Sequence, residues 1–201
     1  MTPTRVLFLP GAAGDAAFWA PVRDRLPQPL DAVLLAWPGL GAVPARADVK
    51  SFDDLVRLTL AQMARPVDLV AQSMGGVVAA LATLARPDRI RRLVLVATSG
   101  GVDVARFGAQ DWRPGYRAHY PDAAPWIGQT RIDLTDRIPS ITAPTLLIWG
   151  DRDPISPVDV GRHLATLLPA AELVVIPGGD HSLARDRADE VAPLIARHLA
   201  G

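Results

Sequence analysis

Short, continuous apolar runs recur along the chain, separated by stretches whose apolar residues return every three or four positions. The runs are Arg5–Leu9, Ala32–Ala36, Val67–Ala71, Leu93–Ala97, Thr145–Trp149 and Glu172–Ile176. Apolarity that is continuous rather than alternating predicts strands covered on both faces. Between them the pattern predicts helices. One runs from Asp15 or Ala16 to Leu26, with Phe18, Trp19, Val22 and Leu26 near helical spacing. Another is opened by Ser51, with Asp54 three residues on as a capping-box-like pair. A small-residue helix over Gly76–Arg86 stops before Pro87. Ser156-Pro157 is read as an N-cap followed by proline at the first helical position. The last helix covers Arg187–Leu199.

This alternation of strand and helix predicts a three-layer α/β/α fold. Its sheet has about six mostly parallel strands, with right-handed crossovers placing helices on both faces. The alternation breaks once, over residues 101–142. Five of the chain's 11 aromatic residues fall there within 20 positions, namely Phe107, Trp112, Tyr116, Tyr120 and Trp126, among Pro114, Pro121, Pro125 and Pro139. The segment is predicted to be a short lid inserted after the fourth strand, within one domain spanning residues 1–201. Trp112, Tyr116 and Trp126 are its candidate substrate-binding rings. A loop folded over the sheet end for packing alone is the alternative.

Composition narrows this picture. The 201 residues suffice to bury roughly 70% of the unfolded chain's surface. A 49% apolar and 21% charged balance is that of a globular protein. Basic and acidic residues number 21 each, and only Lys50 among the basic ones is not arginine. Zero net charge argues against a nucleic-acid partner. The absence of cysteine excludes disulfides, thiolate catalysis and cysteine-ligated zinc. The N-terminal MTPTRVLFLP has no long apolar leader region, and no apolar run approaches the ~20 residues that span a bilayer. A cytoplasmic protein with a small-molecule substrate and no membrane partner is the expectation; nothing in the pattern sets an oligomeric state.

The third strand runs into Ala71-Gln72-Ser73-Met74-Gly75-Gly76, and a helix follows at once. A tight strand-to-helix turn holds a serine oxygen clear of its own backbone, and it demands small residues two before and two after the serine. The helix start also points its positive end at a developing oxyanion. A serine before a helix is more often a cap, which suits Ser51 and Ser156. Ser73 differs by ending an apolar strand. Its base must come from four histidines. His163 and His198 sit in amphipathic helices, and His119 sits in the aromatic insertion without a local partner. His181 follows the sixth strand, at the carboxyl end of the sheet, where ligands of open α/β sheets bind. The orienting acid is Asp151 or Asp153 after the fifth strand, with Asp103 and Asp180 weaker. The order serine, acid, histidine is that of one triad arrangement and not of chymotrypsin or subtilisin. The loop after the first strand, Pro10-Gly11-Ala12-Ala13-Gly14, can expose a backbone N–H beside the serine; it lacks the GxxxxGK[ST] phosphate motif.

Together these residues resemble the α/β-hydrolase superfamily over nearly the whole chain. Pro10-Gly11-Ala12 is similar to the family's His-Gly-x oxyanion loop, with proline in place of histidine. Trp37-Pro38-Gly39-Leu40-Gly41 is similar to its D-x-P-G-x-G turn, without the aspartate. The stretch from Ala143 to Asp153 is similar to its acid-bearing strand, and Gly178-Gly179-Asp180-His181 to its histidine loop. The resemblance implies Ser73, Asp153 and His181 as catalytic residues, the N–H groups of Ala12 and Met74 as oxyanion donors, and no cofactor or metal. It implies six of the family's usual eight strands and a short cap over an open pocket. The expected activity is that of a serine esterase acting on an ester or thioester of a small or apolar acyl group. Carbon–carbon hydrolysis or cofactor-free lyase chemistry on the same triad is the runner-up, and a non-catalytic binding protein a more distant one.

Overall fold

The six apolar runs become six strands of one all-parallel sheet in a computed structural model that describes residues 4–201. The first three residues of the stretch weighed as a leader lie outside the described residues. The strands are β1 (Arg5–Leu9), β2 (Asp31–Leu34), β3 (Val67–Gln72), β4 (Ile90–Val96), β5 (Thr145–Gly150) and β6 (Ala171–Ile176). The helices are α1 (Ala20–Arg23), α2 (Phe52–Leu60), α3 (Met74–Ala85), α4 (Arg113–His119), α5 (Trp126–Gln129), α6 (Val158–Leu167), α7 (Leu183–Asp186) and α8 (Ala188–Ala200).

The strand order is β2-β1-β3-β4-β5-β6. The chain leaves β1 towards one edge and returns past it to β3, so the order reverses between β1 and β3. This reversal is where open α/β sheets bind ligands, at the carboxyl ends of the strands. Ser73 lies at that end, one residue beyond β3.

Both faces of the central strands β1, β3, β4 and β5 are largely buried, which is why they read as continuous apolar runs, and the edge strands β2 and β6 are part-buried. Successive residues of a strand face opposite sides. Leu7, Leu9, Leu69, Leu93, Leu95 and Leu147 pack into a cluster with residues of α2, α3 and α6. Val6, Phe8, Val70, Val94, Leu146 and Ile148 pack on the other side with Trp19, Val22 of α1 and Val191 and Ile195 of α8. Each fully buried side chain of this size contributes about 1.5–3 kcal/mol. No helix among the described residues is long and apolar enough to cross a membrane.

Two helical expectations are corrected. The segment predicted as one helix to Leu26 is a 3₁₀ turn over Ala16–Trp19 followed by the single turn of α1. Asp15 caps the 3₁₀ turn by accepting from the Ala17 N–H at 2.8 Å. Ser156 is not the cap of α6. Pro157 holds that position, and the Ser156 hydroxyl points inward to the Thr98 carbonyl at 3.0 Å. Ser51 does cap α2, and the Asp54 carboxylate accepts from the Lys50 N–H and the Ser51 hydroxyl, both at 2.9 Å. Residues 101–142 hold short pieces only: two 3₁₀ turns, Val104–Phe107 and Ile138–Ser140, with α4 and α5 between them.

Candidate active site

Ser73 sits between β3 and α3 at φ 52° and ψ −126°. A non-glycine residue there costs on the order of 1–3 kcal/mol and persists only if its surroundings enforce it. They do so from three sides. The Ser73 N–H donates to the Val96 carbonyl of β4 at 3.0 Å, and the Ser73 carbonyl accepts from the Gly76 N–H at 2.9 Å. The buried Thr98 hydroxyl donates to the same carbonyl. The glycines behind Ser73 are steric necessities. A Cβ on Gly75 would overlap the carbonyl oxygens of Leu9 and Pro10, and one on Gly76 the Thr98 side chain. The start of α3 thus packs directly on the end of β1.

His181 Nε2 is 2.9 Å from Ser73 Oγ, and His181 Nδ1 is 2.8 Å from Asp153 Oδ2. A carboxylate only accepts, so Nδ1 carries the proton and Nε2 is left to accept from the serine hydroxyl. The Asp153 side chain is fully buried, whereas that of His181 is 25% exposed. Burying a carboxylate requires partners for its remaining lone pairs. Asp153 Oδ1 finds them in the N–H groups of Ile155 at 2.8 Å and Ser156 at 2.9 Å. The chain from acid to hydroxyl is therefore fixed at its buried end and open at the other.

Neighbouring groups hold the three loops together. Asp151 Oδ1 accepts from the Gly178 N–H at 2.6 Å, so Asp151 ties the acid loop to the histidine loop. A Cβ on Gly150 would overlap the Gly179 carbonyl, and the Arg152 N–H donates to that same carbonyl at 3.0 Å. Gln72 is 4% exposed, and its amide donates to the His181 carbonyl at 3.1 Å. Sequence reasoning missed Gln72, Thr98 and Ser156; the only signal for Gln72 is a polar residue closing an apolar strand.

The loop after β1 lies against the serine. A Cβ on Gly11 would come within 2.5 Å of Gln72 Oε1 and 3.1 Å of Ser73 Cβ. Successive carbonyls of this stretch are held by buried indoles. Trp19 Nε1 donates to Leu9 at 2.9 Å, and Trp37 Nε1 to Pro10 at 2.8 Å. The N–H groups of Ala12 and Met74 form no hydrogen bond among the described residues. For Met74 this follows from its place at the first helical position, where a backbone N–H has no partner within the helix.

The insertion residues are placed differently. Trp112, just before α4, and Tyr116 on α4 meet edge to face, with ring centres 5.3 Å apart. Trp126 of α5 meets Phe52 of α2 edge to face at 6.4 Å. A cavity of about 140 Å³ lies among Trp112, Arg113, Tyr116, Ala124 and Ile127, and Ser73 does not line it. Arg113 pairs with Asp111 at 2.8 Å, and Arg131 is bonded to the Gly128 and Thr130 carbonyls. Asp103 caps the 3₁₀ turn through the Ala105 N–H, and Asp180 accepts from the Ser182 N–H. His163 packs against Phe107. Burial, with Arg92 nearby, holds His198 below the usual histidine range.

A strained serine at a strand-to-helix elbow, linked through a histidine to a buried aspartate, both from loops after later strands of a parallel sheet, defines a class of protein before any likeness is considered. The model of the Alpha/beta hydrolase family matches residues 6–194, and the chain belongs to that family. It is 25% identical to the pimeloyl-[acyl-carrier protein] methyl ester esterase of Neisseria meningitidis serogroup C, over 98% of this chain and 94% of that protein. Its fold is that of a thermophilic esterase from Thermogutta terrifontis, at 22% identity and TM-score 0.77 over 99% of this chain and 90% of the other. The meta-cleavage product hydrolase of Pseudomonas fluorescens IP01 also superposes, at 17% identity and TM-score 0.80 over 98% and 90%.

Proposed function

We propose that this family member is a serine hydrolase that cleaves an ester or thioester of a small or apolar acyl group through an acyl-enzyme at Ser73. The observation that carries the reading is the unbroken Asp153–His181–Ser73 hydrogen-bond chain beside two unpaired N–H groups. Ser73 Oγ attacks the acyl carbon as its proton passes to His181 Nε2. The carbonyl oxygen gains negative charge, which the Ala12 and Met74 N–H groups and the start of α3 stabilise. Collapse of the tetrahedral species expels the alcohol or thiol, which takes the proton from His181. Water then repeats the sequence on the acyl-enzyme, releasing the acid and restoring Ser73. Asp153 keeps the imidazole in the productive tautomer and stabilises its charged form.

The likeness to a methyl ester esterase supports an ester substrate. In this reading residues 101–142 act as a short lid whose Trp112 and Trp126 select the acyl or leaving group. The test is an ester panel graded by acyl length, run on the wild type and Ser73→Ala, with fluorophosphonate labelling mapped by mass spectrometry. Turnover lost with Ser73, and an adduct on Ser73 alone, supports the reading. Turnover that survives Ser73→Ala, or an adduct on Ser99 or Ser182, overturns it.

A further inference from the structure

We propose that the Tyr116 hydroxyl is the positioning group for the oxyanion loop, so that the insertion sets the rate of acyl transfer as well as its selectivity. This rests on the reading above, in which the Ala12 N–H is an oxyanion donor. Four successive carbonyls lead through the loop, and each is held by a donor from beyond β1. Leu9 is held by the Trp19 indole, Pro10 by the Trp37 indole and Gly11 by the Gly14 N–H at 3.0 Å. Ala12 is held by the Tyr116 hydroxyl at 2.9 Å. The first three donors belong to the sheet end and its loops. The fourth comes from α4, more than a hundred residues away, and it restrains the residue whose N–H faces the substrate oxygen. No other hydrogen bond is made to the Ala12 carbonyl among the described residues.

The same hydroxyl accepts from the Gly41 N–H at 2.8 Å. Gly41 already lies against the loop, since a Cβ there would overlap the Ala13 carbonyl. Tyr116 therefore bolts two touching backbones to one point. Donating and accepting are both taken up, so the proton has a defined direction. Burial also holds the Tyr116 phenol above its ordinary range, which keeps the donor proton in place at alkaline pH. The ring is seated by Trp112 at 5.3 Å and Tyr120 at 5.1 Å. The Ala124 N–H adds a bond to the Gly39 carbonyl at 2.8 Å, from the same insertion to the same turn. The hydroxyl is thus committed to the loop, and a substrate would have to displace these bonds to use it.

The experiment compares wild type, Tyr116→Phe and Tyr120→Phe on an activated acetate ester, whose acyl group is too short to need the insertion. Active sites are titrated with a fluorophosphonate, so unfolded protein does not count. Losing an oxyanion donor outright costs about 10²–10³ in kcat, so loosening one is expected to cost Tyr116→Phe on the order of tenfold or more, with KM little changed. A boronic acid that forms a tetrahedral adduct should weaken by a similar factor. Tyr120→Phe removes a hydroxyl without a hydrogen-bond partner among the described residues, and should match the wild type. Wild-type kcat in Tyr116→Phe, with changes confined to KM for long-chain esters, overturns the proposal and leaves the Ser73 mechanism standing. Failure of the wild type to label at Ser73 overturns both.

Discussion

The carboxyl end of the sheet and the insertion over residues 101–142 hold their side chains by opposite means. At the sheet end, Ser73 and Asp153 follow buried strands closely, by one residue and by three, and His181 follows the edge strand β6 by five. The loops that carry them are bonded to other strands or loops, and glycine contacts fix the approach. The insertion has no helix longer than 7 residues; rings stacked on rings and side chains bonded to backbone hold it. Chemistry that fails with a displacement of an ångström belongs on the first kind of support, and selection among substrates tolerates the second. Tyr116 is where the two meet.

The largest expected effects fall at the sheet end. Ser73→Ala should lower kcat by on the order of 10⁶, as in triads dissected elsewhere, with little change in melting temperature. Asp153→Asn should keep the fold and lose about 10⁴ in kcat, since the amide favours the wrong imidazole tautomer. Asp151→Asn keeps an acceptor for the Gly178 N–H and should cost less than about tenfold, well below the loss expected for a wrong tautomer. Steady-state kinetics on the pair decides between them. The reverse ranking at equal thermal stability would move the acid to Asp151.

Gly75→Ala should cost both stability and activity, because its methyl must displace the Leu9 and Pro10 carbonyls. Overpacking of this kind costs about 1–3 kcal/mol, readable by chemical denaturation. In the insertion the effects should fall on selectivity, and there the two tryptophans should part company. Trp112→Ala should shift kcat/KM between long-chain and acetate esters by about 1–3 kcal/mol with little loss of stability. Trp126→Ala also loses its edge-to-face contact with Phe52, worth about 0.5–1.5 kcal/mol beyond area, and should lower the melting temperature as well. A constant ester ratio in both variants, with melting temperature falling, would make the insertion packing alone.

The central strands were legible because burial on two faces leaves an unbroken apolar run, and all six strands appear in the structure within three residues of the predicted starts. The elbow was legible because sterics demand small residues around Ser73, and the resemblance separated Asp153 from Asp151. What escaped was settled at long range. Ser156 has a cap's local sequence, but its hydroxyl is used by the Thr98 carbonyl 58 residues away. Gln72 reaches the His181 carbonyl across 109 residues, and Tyr116 reaches Ala12 across 104. Such contacts depend on which loops the topology brings together, and local pattern carries no trace of them. The helix before β2 was over-read, since its apolar spacing continues past the point where α1 ends at Arg23.

The central claim is an acyl-enzyme on Ser73, and rapid acid quenching during turnover of an activated acetate ester tests it most directly. Digestion and mass spectrometry should find one acetyl group on the peptide carrying Ser73, accumulating in a burst and absent from Ser73→Ala. Acetylation elsewhere, or steady turnover with no acetylated peptide in a variant slowed at His181, would contradict the account.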